Sequence, residues 1–183
     1  MQIDPSQVLV IITTHPNNTV DYSVLHYLDS KNVPRKNITV AGGKGSIVEK
    51  RNTLVKDILS KQDNRPELSW VLFLDEDVTP TELTNPIWDS VDFDIVGCEY
   101  DLPHEKKAWV YPDTFHMGCV RVRIELFRKL KLPMFMFEYN EEGTRITSCE
   151  CGYFKRKALE VGASITRRGY AEHTAGKTWV HTA

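Results

Sequence analysis

Asp75, Glu76 and Asp77 stand side by side at the end of an apolar run, in "WVLFLDEDVTP" (Trp70–Pro80). Three like charges repel, so something positive is expected among them. The run before them reads as a buried strand, and in open α/β sheets ligands sit beyond the carboxyl ends of the strands. Residues two apart on a strand point to one side, so Asp75 and Asp77 are expected to face one cation. Hard divalent ions such as Mg²⁺ or Mn²⁺ take oxygen ligands of this kind, with substrate phosphates at other positions. The plainer alternative is a solvated acidic loop after a strand.

Such a strand end needs a sheet to hold it. "VLVIITT" (Val8–Thr14) is an unbroken apolar run, the pattern of a strand covered on both faces. An amphipathic helix follows, with Val20, Val24, Leu25 and Leu28 on one side, then a short strand over Ile38–Ala41 stopped by glycines. "SIVEKRNTLVKDILSK" predicts a helix opened by a Ser46/Glu49 capping box, with Ile47, Leu54, Val55, Ile58 and Leu59 as its apolar stripe. The acid-tipped run is the third strand. Thr79 is expected to cap a further helix, with Pro80 at its first position and Glu82 completing the box. This β-α-β-α-β-α order predicts an α/β fold with a mixed, mostly parallel sheet flanked by helices.

Downstream, "DIVGCEY", "HMGCVRV" and "SITRRGY" read as strands, and "IELFRKLKL" and "CECGYFKRKALEVGA" as helices. Leu102–Phe115 reads as a loop or edge strand, and Met134–Ser148 as an acidic, aromatic loop. The tail "AEHTAGKTWVHTA" has no hydrophobic period.

The 183 residues fit a single domain spanning 1–183, which is long enough to bury about 70% of its unfolded surface. With 26% charged residues and a net charge of −2, no basic run points to nucleic acid. No stretch of about 18 apolar residues predicts a membrane span, and "MQIDPSQ" lacks the pattern of a signal peptide, so a cytoplasmic protein is expected. Cys98, Cys119, Cys149 and Cys151 form no C-x-x-C pair and are expected as free thiols.

Two enzyme classes carry acids at such a strand end. "LFLDEDVT" resembles the nucleophilic motif of haloacid dehalogenase-like phosphotransferases, but there it opens the core, whereas here two βα units precede it. The whole chain resembles the GT-A nucleotide-sugar glycosyltransferases, in particular glycosyltransferase family 2 and small viral or phage relatives. The resemblance is carried in order by "VLVIITTHP", "SIVEKRNTLVKDIL", "WVLFLDEDVTP", "MGCVRVRIELFRKL", "SCECGYFKRKALEVGASI" and a late His. It implies a single-domain GT-A fold and transfer of a sugar from a nucleoside diphosphate sugar to a hydroxyl acceptor, a glycan or glycoprotein among the possibilities. It also implies inversion, a hexosyl donor and Mn²⁺ or Mg²⁺ as cofactor, with host cytoplasm as the setting if the chain is viral. A catalytically silent sugar-nucleotide binder is the alternative outside the enzymes.

The resemblance also implies roles. Asp77 would ligate the metal, and Asp75 would contact the ribose or the metal, with Glu76 turned away. Thr13 and Thr14 would hold base and ribose, or merely close their strand. The acid that the family often has after the second strand is replaced here by "AGGKG", where Gly42 and Gly43 would let backbone amides approach the donor. Arg51 would reach the diphosphate, or pair on the helix surface with Glu49 or a neighbour. Aligning Phe154 and Gly162 puts Glu150 on the family's general base and Cys151 on its second acid. Thr147 and Glu150 also read as a capping box, so Glu150 is either base or cap, with Glu138, Glu141 and Glu142 in reserve. His173 would complete the metal site, with His181 second. Apart from the resemblance, the tail 171–183 has no hydrophobic period of its own and is expected to close as a lid over the donor, with Lys177 near the phosphates. Met134–Tyr139 is either an acceptor platform or core.

Overall fold

The computed structural model describes residues 1–14, 20–99 and 115–172, with the backbone of His173. The strands are β1 (Val8–Thr13), β2 (Ile38–Ala41), β3 (Trp70–Asp75), β4 (Val78–Pro80), β5 (Ile95–Glu99), β6 (Cys119–Arg123), β7 (Glu138–Tyr139), β8 (Ile146–Ser148) and β9 (Ile165–His173). The helices are α1 (Tyr22–Ser30), α2 (Ile47–Asn64), α3 (Ile124–Lys129) and α4 (Glu150–Glu160). Seven strands form one sheet in the order β2-β1-β3-β6-β5-β9-β4, and β7 and β8 pair separately. The pairs β1–β2, β1–β3 and β5–β9 are parallel, whereas β3–β6, β5–β6 and β4–β9 are antiparallel. The sheet is thus mixed, and its parallel half is the stretch that carries the βα units.

The two-faced burial expected of the apolar runs is present. Along β1, Leu9 and Ile11 enter one core while Val8, Val10 and Ile12 enter the other. Along β3, Val71 and Phe73 face the first core and Trp70, Leu72 and Leu74 the second. The first core is closed by Leu54, Val55 and Ile58 of α2 and by Cys151, Phe154 and Ala158 of α4. The second is closed by Val24, Tyr27 and Leu28 of α1. Strand alternation therefore decides where β3 ends: Asp75 follows Val71 and Phe73 onto the face shared with α2 and α4.

Several boundaries differ from the sequence reading. β3 stops at Asp75, and Glu76 and Asp77 form a turn, so strand alternation does not set the direction of Asp77. Thr79 and Pro80 belong to β4; the cap is Thr81, whose box partner is Thr84, and it opens a 3₁₀ helix over Glu82–Trp88. Thr81 offers the same capping chemistry two residues later, which frees Val78–Pro80 to pair with β9. Met134–Ser148 is not wholly loop, since β7 and β8 form a small hairpin within it. β9 runs three residues past "SITRRGY" and takes in Ala171–His173. The expected lid spans 171–183: Ala171–His173 are instead strand, paired with β4, and the rest, with Lys177 and His181, lies outside the described residues, as does Leu102–Thr114. Cys98, Cys119 and Cys151 are buried free thiols, and Cys149 is an exposed one. Among the described residues, no helix is long and apolar enough to cross a membrane.

Gly97 shows how tightly the centre of the sheet is filled. A Cβ there would lie 2.5 Å from Phe115 Cβ. Gly97→Ala is expected to lower stability by about 1–3 kcal/mol, the usual cost of overpacking a core. A denaturant midpoint unchanged from the parent would contradict it.

Candidate active site

The stripe of α2 that covers the first core is Leu54, Val55 and Ile58, and Arg51 sits one turn ahead on the same face. Its side chain is only 1% exposed, and it cannot lose its proton at ordinary pH. It must therefore find acids, and the fold supplies two. Arg51 Nη2 donates to both oxygens of Asp75, at 2.9 and 3.0 Å, and Nη1 donates to Glu150 Oε1 at 2.6 Å. Burial opposes the guanidinium charge, but Asp75 and Glu150 outweigh it and hold Arg51 protonated, well above its usual range. Burial raises the Asp75 carboxyl, with Asp77 and Glu150 adding to the rise against the pull of Arg51.

Arg51 is therefore neither a surface ion pair nor bonded to Glu49. Glu49 accepts from Ser46 N at 2.8 Å and completes the expected capping box. The expected Thr147/Glu150 box is not formed either: Thr147 lies in β8, and the N-cap of α4 is Cys149, whose sulfur accepts from Gly152 N at 3.5 Å. Glu150 is the first residue of α4, bonded to Arg51, with its side chain 12% exposed. Cys151, at the position of the family's second acid, points into the core, where its sulfur accepts from Met117 N at 3.4 Å.

A cleft of about 230 Å³ opens beside this cluster, lined by Thr13, Thr14, Gly45, Ile47, Lys50, Asp75, Glu76 and Asp77. Thr13 and Thr14 are 5% and 4% exposed, and Thr13 Oγ1 is buried without a hydrogen-bond partner. Backbone bonds fix the cleft floor: Asp75 N donates to Gly118 O, Glu76 N to Thr13 O and Thr14 N to Ala41 O. Glu76 is among the residues that line the cleft. Gly45, not Gly43, reaches the cleft wall; Gly43 is held at φ 101° with open space around it. Gly42 makes room for Thr14, whose hydroxyl would lie 3.0 Å from a Cβ there. A second hollow of about 530 Å³ along β2 and α2 shares Gly45 and Lys50 with the first.

Three residues that the sequence reading left unassigned prove structural to the site. Lys50 reaches over to Thr14 O at 3.1 Å and brings a positive charge to the cleft. Asn52 binds the backbone of Met134 and Phe135 from both sides of its amide. Cys149 caps α4. The signal for Lys50 was its place beside a glycine-rich turn; the others depend on contacts distant in sequence.

The remaining candidates are spread out. His173 lies opposite Val78 in the β4–β9 ladder, one residue beyond Asp77. Glu138 is paired with Arg156 at 2.6 Å, and Glu141 and Glu142 are exposed in the hairpin turn. Of the aromatic stretch, Phe135 stacks on Phe154 at 4.8 Å in the core, whereas Met136 and Tyr139 are exposed.

Asp75, Glu76 and Asp77 line one cleft and offer oxygen donors of the kind a hard divalent cation takes, but among the described residues the trio whose ligand atoms converge is Cys149, Glu150 and Cys151. Both oxygens of Asp75 accept from Arg51, and each keeps a lone pair that a cation could use.

No family model matches the chain, and no curated protein matches it. Among solved structures it is similar to A197 from STIV, at 15% identity and a TM-score of 0.58 over 91% of this chain and 82% of that one. It also aligns with the catalytic domain of Drosophila beta1,4galactosyltransferase 7 in complex with xylobiose, at 14% identity, TM-score 0.49, 87% of this chain and 64% of that one. A third is a glycosyltransferase involved in the glycosylation of the major capsid of PBCV-1, at 15% identity, TM-score 0.45, 92% of this chain and 94% of that one. The chain shares the mixed α/β fold of A197 from STIV, and at 15% identity the likeness is one of fold alone.

Proposed function

We propose that residues 1–183 form one domain that transfers a sugar, a hexose by resemblance, from a nucleoside diphosphate sugar to a hydroxyl acceptor, with inversion. One observation carries this reading: α2, α4 and the end of β3 gather Arg51, Asp75 and Glu150 into a single ion-paired cluster beside a cleft walled by carboxylates. The fold supports it, because the cleft lies at the carboxyl ends of β1 and β3. Thr13, Thr14 and Gly45 would contact base and ribose, and Lys50 would meet the phosphates. Mn²⁺ or Mg²⁺, held by Asp77 with Asp75 or Glu76 and completed by His173, would neutralise charge on the diphosphate leaving group. Glu150 would take the proton of the acceptor hydroxyl, while Arg51 keeps that carboxylate aimed. Arg51 would not touch the diphosphate itself, since its side chain is only 1% exposed. Action in the cytoplasm, the host's if the chain is viral, belongs to the same proposal.

The phosphotransferase reading fares worse on the same geometry. It needs Asp75 as a nucleophile towards phosphorus, and the two hydrogen bonds from Arg51 draw electron density from both of its oxygens. A silent binder would keep the cleft and need no base, which makes turnover the discriminating measurement.

The test is donor binding by calorimetry across common nucleotide sugars, with Mn²⁺ and with chelator. A donor that binds should lose at least about tenfold in affinity, 1.4 kcal/mol, in chelator and again in Asp77→Asn with metal present. Equal affinity under all three conditions would remove the metal from the reading.

A further inference from the structure

Cys149, Glu150 and Cys151 bring two sulfurs and a carboxylate oxygen within 4.8 Å of one another at the start of α4. Cys149 is exposed and accepts from Gly152 N, as a thiolate at an N-cap would. Cys151 is 6% exposed, and its sulfur lies 3.4 Å from Glu150 Oε1. A cation at this trio would meet the Arg51 guanidinium, which is already 2.6 Å from the same carboxylate oxygen. The geometry disfavours a metal and suits thiol chemistry.

We propose that Cys149 and Cys151 are a redox-active dithiol that reacts with small-molecule disulfides and, when oxidised, withdraws Glu150 from Arg51. The regulatory half of this proposal rests on the reading of Glu150 as the general base. In the first step the Cys149 thiolate attacks one sulfur of the disulfide RSSR; the Cys149–SR bond forms and RS⁻ leaves. In the second, Cys151 gives up its proton and attacks the Cys149 sulfur, releasing the second RS⁻. Two electrons pass to the disulfide, and two thiols RSH are the balanced product. Hydrogen bonds from Cys151 and from the Gly152 amide lower the Cys149 thiol to about 6, so it is mostly thiolate at neutral pH. Cys151 is pushed up by its bond to Cys149 and by burial, which suits the residue that resolves rather than attacks.

Closure brings the sulfurs to about 2.05 Å, from as much as 4.8 Å. Cys149 must then leave the Gly152 amide, and Cys151 must leave Met117 N and Glu150. Glu150 is the one residue inside the new ring, so its backbone turns with it and its carboxylate leaves Arg51. Cys98 and Cys119 are both 0% exposed and out of reach of a dissolved oxidant.

The full chain should be incubated with oxidised glutathione, then alkylated and mapped by mass spectrometry. The expected product is an intramolecular Cys149–Cys151 bond, with a loss of about 2 Da. Turnover should fall at least about tenfold and return with dithiothreitol. Cys149→Ser keeps a good N-cap; its turnover, at whatever level it starts, should not change with the oxidant. A stable Cys149–glutathione adduct without ring closure, a Cys98–Cys119 bond, or stoichiometric zinc released on thiol labelling would each overturn the dithiol. If the ring forms but the reduced protein transfers no sugar to any acceptor, the dithiol stands and the transferase reading fails.

Discussion

Glu150→Gln is expected to lower turnover by about 10²–10⁴-fold while leaving donor affinity nearly unchanged. The argument starts from the fold. α4 begins at Glu150 because Cys149 caps it, and its buried stripe of Cys151, Phe154 and Ala158 fixes the rotation of the helix. That rotation brings Glu150 to Arg51 rather than into the core. Gln keeps the shape and still accepts from Arg51, but it cannot take a proton. Loss of turnover without loss of binding would mark an interaction made only in the transition state. The reserve acids are poorly placed to substitute, because Glu138 is tied to Arg156 and Glu141 and Glu142 face solvent. Turnover within a few-fold of the parent would remove Glu150 as base and leave it an anchor for Arg51.

Much of the fold was legible because a strand buried on both faces must be apolar throughout. Val8–Thr13 and Trp70–Asp75 announce themselves in that way, as does the Ser46/Glu49 box that opens α2. Short elements were not legible. β4, β7 and β8 are two or three residues long, too short for any alternation to show. β4 was also disguised, since Thr79-Pro80 reads as a helix start when Thr81 supplies the cap instead. At the site, the acidic triplet, Thr13 and Thr14 were visible as polar residues ending apolar runs. The partnership of Arg51 with Glu150 was not, because it joins positions 99 residues apart. A signal for it did exist: Arg51 occupies the core stripe of α2, and a buried arginine requires acids. Cys149 escaped because cysteine is not among the usual N-cap residues.

Arg51→Met is expected to destabilise the protein by about 3–5 kcal/mol, the cost of removing one partner from a buried ion pair. Met matches the aliphatic stem of Arg and fills its place beside Leu54 and Val55, so lost packing contributes little. What remains is electrostatic. Asp75 and Glu150, 27% and 12% exposed, would keep two carboxylates near each other and near Asp77 with no cation between them. Water cannot replace the guanidinium cheaply at a site this enclosed. Arg51→Lys should fall between parent and Met, since one ammonium is a point charge and cannot make the forked contact to both acids. The cluster also makes a coupling prediction. In Glu150→Gln the loss from Arg51→Met should be smaller, because one of the two stranded charges is already gone; a double-mutant cycle should give a coupling of about 1–3 kcal/mol. Added Mn²⁺ should recover part of the stability of Arg51→Met if Asp75 and Asp77 share a cation, because the ion would supply the missing positive charge. Denaturant melts of the five proteins, with and without the metal, read out each of these terms. Additive losses across the cycle would mean that Arg51 serves Asp75 alone and that its bond to Glu150 carries no energy.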